Sequence, residues 1–260
     1  MMSDADRGKA ADILMNAERE RKQAAQLSRT WPDITFADAY AISSEVAHRR
    51  MAAGEKLIGH KVGLTSKAMQ RSSGIDEPDY GYLFDSMLIA DGAKVTHANY
   101  AVPRVEVELA FVLGKPLKGP GVGLIDVMRA TEYVVPALEL IDARVQDPRK
   151  IFDTISDNGA AAGIVIGGRP VKPDEVDLRW IGGALYRNSE IEETGLAAGV
   201  LGHPALGIAW LANKVGVYGT TLEPGHLVLS GSFTRPVWCN KGDTLHGDFG
   251  PLGGVAIQFI

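Results

Sequence analysis

Three glutamates dominate the chemistry open to this chain of 260 residues. Two lie in Pro103-Arg-Val-Glu-Val-Glu-Leu-Ala-Phe-Val-Leu113, whose alternation reads as a β-strand. Side chains on a strand repeat every two residues, so Glu106 and Glu108 project from one face and Val105, Val107 and Leu109 from the other. Alone, such a pair reads equally well as the wet face of a half-buried strand. The third, Glu139, stands inside the apolar run Val134-Val-Pro-Ala-Leu-Glu-Leu-Ile141. An ionised carboxylate among buried apolar groups needs a cation or a donor. Together the three suggest a site for a hard cation. Carboxylates without soft ligands select Mg²⁺, or Mn²⁺, over zinc or copper. Zinc finds no support, because the six histidines show no metal-binding spacing and Cys239 has no partner cysteine.

A lysine and two further polar groups extend this chemistry. In Lys56-Leu-Ile-Gly-His-Lys-Val-Gly-Leu-Thr65, a strand places Gly59, Lys61 and Gly63 on one face. Flanking glycines clear space around Lys61, which suits a lysine projecting into a cavity, although a surface lysine fits the same pattern. Asp79 precedes Gly81 in a loop rich in acids and either points inward or stabilises the turn. Ser230-Gly-Ser232 reads as a strand end contacting an anion, or as a surface loop. A 2-oxo acid offers a hard cation two oxygens, and chelation polarises its keto group. A nearby lysine would stabilise the enolate, and an acid such as Asp79 would carry protons. Neither a Gly-x-Ser-x-Gly elbow nor a phosphate-binding loop occurs.

The elements that must hold these groups follow from periodicity and caps. Residues 8–28 are expected to form a helix, broken at Trp31-Pro. Thr35 and Asp38 form a capping arrangement for a second helix that stops near Gly54. These define an N-terminal helical lobe over 1–55, leaving 56–260 for the catalytic domain. Helices are expected from Thr65 through Met69, over 125–133 and from Pro204 to Gly216, and a polar connection over 149–158. From about Ala160 the chain reads mostly as short strands between glycine turns. That pattern favours an α+β protein with a rolled sheet over a doubly wound one.

Composition narrows the setting. The chain is 45% hydrophobic and 23% charged with a net charge of −5, and it has no Lys/Arg run, which argues against nucleic acid as a partner. A single cysteine forbids an intrachain disulfide and points to a reducing compartment. No apolar run approaches the ~18 residues of a membrane span, and the N-terminus lacks a signal-peptide profile, so a cytoplasmic protein is expected.

Several stretches resemble the 2-keto-4-pentenoate hydratases of the fumarylacetoacetate-hydrolase-like superfamily. They are Gly59-His-Lys-Val-Gly-Leu-Thr-Ser-Lys-Ala-Met69, Glu77-Pro-Asp-Tyr-Gly81, Pro103 to Phe111, Val135-Pro-Ala-Leu-Glu-Leu-Ile-Asp-Ala-Arg144, Phe152-Asp-Thr-Ile-Ser-Asp-Asn158 and Ala197-Ala-Gly-Val-Leu-Gly-His-Pro204. The resemblance runs from about Arg19 to Ile260. Pro148 to Thr154 and Ser230-Gly-Ser-Phe-Thr-Arg-Pro236 carry a narrower likeness, to members that act on seven-carbon dicarboxylates. The resemblance implies a mixed β-roll preceded by helices. Its metal glutamates fall on Glu106, Glu108 and Glu139, its active-site lysine on Lys61 and its acid on Asp79. Substrate contacts of the wider superfamily fall on Lys150 and Ser232. The implied reaction, in aromatic meta-cleavage catabolism, converts a 2-hydroxydienoic acid to a 4-hydroxy-2-oxo acid by ketonisation, addition of water at C4 and reprotonation. A sister activity is decarboxylation of 2-oxo-3-hexenedioate (4-oxalocrotonate). For a dicarboxylate, arginine suits the distal acid, with Arg235 the first candidate and Arg149 the second. A homo-oligomer is also expected.

Overall fold

Ser3 opens the first helix, α1 (Asp4–Glu20), by accepting a hydrogen bond on its Oγ from the Asp6 amide. The computed structural model to which this belongs describes residues 1–73 and 75–260. The expected helix over 8–28 ends early, because Arg21 turns left-handed (φ 53°) and the chain becomes extended. Ala24 then forms a parallel bridge with Val145, donating to the Arg144 carbonyl and accepting from the Gln146 amide. Tertiary pairing outweighs helical periodicity there. After a short α2 (Leu27–Thr30), Thr35 and Asp38 form the expected reciprocal cap of α3 (Phe36–Ala52).

The remaining elements run β1 (Leu57–Gly63), α4 (Lys67–Ser73), β2 (Asp79–Phe84), β3 (Leu88–Ile89), β4 (Ala93–Val95), β5 (Pro103–Leu113), α5 (Leu124–Ala130) and β6 (Thr131–Asp142). Then follow α6 (Ile151–Ser156), β7 (Ala161–Ile166), β8 (Gly182–Arg187), β9 (Glu190–Leu196), α7 (Ala205–Gly216), β10 (Leu227–Leu229), β11 (Val237–Trp238), β12 (Thr244–Asp248) and β13 (Gly254–Phe259). The 149–158 connection therefore contains a helix, α6, whose first turn is capped by Asp153 accepting from the Lys150 amide.

Two mixed sheets make an α+β architecture. The larger has the order β2-β1-β10-β5-β6-β7-β3, with β11 also paired to β5. The smaller has the order β4-β13-β12-β8-β9. Strands β5 and β6 pair antiparallel along nearly their whole length at the centre of the larger sheet. Val105, Val107, Leu109, Leu138 and Leu140 are fully buried in the main core with Leu245, Ile257 and Phe259 of the smaller sheet. Further along the opposite face, Ala110 and Ala137 join a second cluster with Leu83, Phe84 and Ile164. Both faces of the central strands are thus apolar at that end, which explains why the β6 sequence reads as a continuous run.

The N-terminal helices are tied to this body. Their apolar cluster includes Val145, with Phe152 packed against it. The buried Asp153 carboxylate also accepts from the amide and the hydroxyl of Ser28, both at 2.8 Å.

Candidate active site

Register brings the three glutamates together. Glu106 on β5 lies directly opposite Glu139 on β6, and Glu108 lies one pleat further along the same face. Like charges directly opposite on paired strands repel. One carboxylate oxygen from each of the three lies within 4.8 Å of the others. Both oxygens of Glu139 are buried, with Oε1 facing Lys61 and Oε2 without a hydrogen-bond partner. Burial and mutual repulsion push Glu106 up to about 7 and Glu108 well above the usual carboxylate range, and burial raises Glu139. The Gly231 amide donates to Glu108 Oε2 at 2.8 Å and fixes that side chain. A divalent cation fits this donor set: three hard oxygen donors converge, and the local positive charge is too small to balance them.

That charge is Lys61. Its Nζ stands 3.3 Å from Glu139 Oε1, and the side chain is almost fully buried. Burial works against the ammonium, but Glu139, Asp79 and Glu106 outweigh it and hold Lys61 protonated. Asp79 is buried on the neighbouring strand, with Oδ1 lacking a partner. Burial raises its pKa, although Lys61 pulls the other way. In the β1–β2 register, Asp79 faces Gly63 and Lys61 faces Gly81. A Cβ on Gly63 would sit 2.2 Å from Asp79 Oδ1 and 3.5 Å from Lys61 Nζ. Gly63 therefore makes room for the lysine and the acid together. Gly59 has a different reason: a Cβ there would strike the Leu227 carbonyl of β10 at 1.8 Å.

Lys61 is held from its other side by a turn that the sequence did not disclose. Asn158, Gly159 and Ala160 are all left-handed, with φ of 56°, 59° and 61°. A Cβ on Gly159 would approach Lys61 Cε to 2.5 Å. Asn158 exchanges side-chain hydrogen bonds with the amide and carbonyl of Tyr82 on β2. Buried Arg144 spans the turn by donating to the Asp157 carboxylate and carbonyl and to the Ala161 carbonyl. Consecutive left-handed residues outside glycine cost about 1–2 kcal/mol each and persist only where neighbours fix them.

These groups face a cavity of about 610 Å³, within the range of small-molecule sites. Lys61, Asp79, Glu106 and Glu108 line it, as do Ser232 and Arg235. Ser232 Oγ donates to the Thr234 carbonyl at 2.8 Å, lies 3.2 Å from the Val107 carbonyl and accepts from the Thr234 amide, so it organises the loop between β10 and β11. Arg235 is paired with Glu193, and its side chain is 81% exposed. Arg149 also lines the cavity and is paired with Asp147. Lys150, which precedes α6, is exposed and does not line the cavity; Thr154 within α6 does. Arg104 lines the cavity too and was absent from the sequence expectations. Its signal was present, since it stands two residues before Glu106 on the same strand face.

Residues 51–259 match the family model for the C-terminal region of fumarylacetoacetate hydrolase. The chain is 56% identical over 257 residues to a 2-oxo-hept-4-ene-1,7-dioate hydratase of Escherichia coli, covering 96% of each. It is 40% identical over 249 residues to a 2-hydroxyhexa-2,4-dienoate hydratase of Comamonas testosteroni, covering 95% of this chain and 94% of that one. Its fold superposes on a 4-oxalocrotonate decarboxylase from Pseudomonas putida G7, complexed with magnesium and adipate, with a TM-score of 0.97 at 34% identity, covering 100% of this chain and 99% of the other.

Proposed function

Since the chain belongs to the fumarylacetoacetate hydrolase family, we propose that its carboxylate-lined cavity hydrates a 2-hydroxydienoic acid of the 2-oxo-hept-4-ene-1,7-dioate type to a 4-hydroxy-2-oxo acid. It is a hydro-lyase, as are the hydratases it is most like among those described above. One observation carries the reading: Glu106, Glu108 and Glu139 converge within 4.8 Å of one another beside a cavity lined by Glu106, Glu108, Lys61 and Asp79. Glu106, Glu108 and Glu139 would hold a divalent cation, Mg²⁺ or Mn²⁺, which supplies Lewis acidity to the 2-oxo acid end of the substrate. The decarboxylase of the same fold is complexed with magnesium and with a dicarboxylate, which supports both the metal and the substrate class.

The chain's own residues perform the rest. The fixed ammonium of Lys61 stabilises negative charge on the C2 oxygen as the dienol becomes a conjugated ketone and again after water adds at C4. Asp79 carries the protons. Its raised pKa lets a carboxylic acid exist nearer neutral pH than an exposed one would, which suits a group that must both give and accept. Ser232 holds the loop over β5, and Arg235 stands with it on the cavity wall. Lys150, exposed at the start of α6, would reach substrate only by closing over the cavity.

Assay with 2-hydroxyhepta-2,4-dienedioate and Mg²⁺ tests the proposal. We expect loss of diene absorbance with formation of the 4-hydroxy-2-oxo product, and a fall of about 100-fold or more in Glu106→Gln and in Lys61→Ala. Undiminished turnover in either variant removes the role given to that residue. The near-identical backbone of the decarboxylase gives the alternative its weight: CO₂ release from 2-oxo-3-hexenedioate, without hydration of the dienedioate, would establish decarboxylation instead.

The setting we propose is cytoplasmic and homo-oligomeric, in aromatic meta-cleavage catabolism. Among the described residues no helix is long and apolar enough to cross a membrane. Exposed Trp180, Ile191, Val217 and Tyr218 offer apolar surface for assembly, which sedimentation would test.

A further inference from the structure

Three arginines line the cavity, and their partners separate them. Arg149 donates to Asp147 at 3.0 Å, and Arg235 pairs with Glu193 at 2.7 Å. Arg104 forms no ion pair among the described residues, and its Nε–H is buried without an acceptor. Its guanidinium lies over the Trp238 ring, 4.7 Å from the centroid. Trp238 on β11 is the residue directly opposite Arg104 in the β5–β11 register, so the stack is built into the sheet. Strand parity places Arg104 on the same face as Glu106 and Glu108. One pleat, roughly 6–7 Å, separates it along the strand from the first of them.

From this geometry we infer that Arg104 is the anchor for the second carboxylate of a dicarboxylic substrate. The inference rests on the reading that Glu106, Glu108 and Glu139 locate the 2-oxo acid end. A substrate held there and extended along β5 towards its N-terminus brings its far end to Arg104. Stacking on an indole fixes the guanidinium plane in advance, while its edge keeps two donors for a carboxylate. Arg149 and Arg235 would have to give up a carboxylate they already hold. Arg104 gives up nothing. The cost of a half-buried guanidinium whose Nε–H lacks an acceptor becomes, on binding, a gain in affinity for the diacid alone.

The experiment compares 2-oxoadipate with 2-oxohexanoate, which differ only in the terminal carboxylate, by calorimetry on the full chain with Mg²⁺. We expect the native protein to prefer the diacid by about 10–100-fold, the worth of a charged hydrogen-bonded pair. In Arg104→Met that preference should collapse towards unity, and Arg104→Lys should recover only part of it, because lysine lacks the fork and the planar stack. If Arg104→Met does not fold, the Lys variant decides alone: a full native preference there overturns the inference. So does a native protein that binds the two acids equally, or a preference kept in Arg104→Met and lost in Arg149→Met or Arg235→Met. The two readings fail separately. A native protein that prefers the diacid through Arg104 but does not hydrate the dienedioate keeps the subsite and loses the proposed reaction.

Discussion

His60 shows how one residue position can carry two unrelated constraints. It alternates with Lys61 on β1, so its ring points away from the cavity, fully buried among Tyr80, Tyr82 and His226. Neither ring nitrogen has a partner. Burial, with His226 adding to it, lowers its pKa from an ordinary 6.5 to about 3. The folded chain therefore keeps a neutral imidazole where the unfolded chain binds a proton. Between pH 6.5 and 3 the unfolded state holds more protons, so stability falls as pH falls through that window. The slope for this one group approaches about 1.4 kcal/mol per pH unit. Urea unfolding at stepped pH should show the native protein losing stability on acidification faster than His60→Phe. Parallel curves for the two proteins would disprove the assignment.

At the scale of elements, the left-handed turn over 158–160 is the part of the site with the most demanding backbone. It packs Gly159 against Lys61 and is spanned by Arg144. Gly159→Ala places a methyl 2.5 Å from Lys61 Cε, at a φ that L-residues resist. We expect a stability loss of only about 1–2 kcal/mol beside a fall in kcat of about 100-fold, the scale of a misplaced catalytic group. Turnover within two-fold of native would show that Lys61 does not need the turn.

The central strand was readable from sequence because its physics is local, whereas β2 begins at Asp79 inside the expected loop and the helix expected over 125–133 gives way to β6 at Thr131. The Glu-x-Glu alternation delivered β5 with both ends correct, and the Thr35–Asp38 cap delivered α3. The glycines around Lys61 pointed to a cavity, and Gly63 does clear one, but Gly59 serves a neighbouring backbone. What stayed hidden depends on partners distant in sequence. The stop of α1 at Arg21 leads to the bridge from Ala24 to Val145, and the shape of 158–160 depends on Arg144 and Tyr82. Arg104 was overlooked for a simpler reason. Its parity with the glutamates was visible, but only the absence of an ion partner singles it out from Arg149 and Arg235.

For the whole molecule, the glutamate cluster is a stability question as well as a chemical one. Three converging carboxylates, those of Glu108 and Glu139 buried and that of Glu106 partly so, oppose folding, so a cation that binds only the folded chain should stabilise it by mass action. At 100 times Kd this amounts to about 2.7 kcal/mol. Chelator-treated protein should gain several degrees in Tm on adding millimolar Mg²⁺ or Mn²⁺. Glu139→Gln should start from a higher Tm than chelated native protein and lose most of the gain. Indifference of the native Tm to both metals would count against the cation site.

The Ser230–Pro236 segment has a bearing on how such enzymes diverge. It leaves the sheet after β10 and rejoins it at β11, and both strands pair with β5. The strand that carries Glu106 and Glu108 therefore also anchors both ends of the segment facing them. Side chains between those anchors can be exchanged while the carboxylates keep their register. Inheritance of this kind separates what must be conserved from what is free to vary: a lineage can retain one way of gripping a 2-oxo acid and explore different fates for its carbon chain.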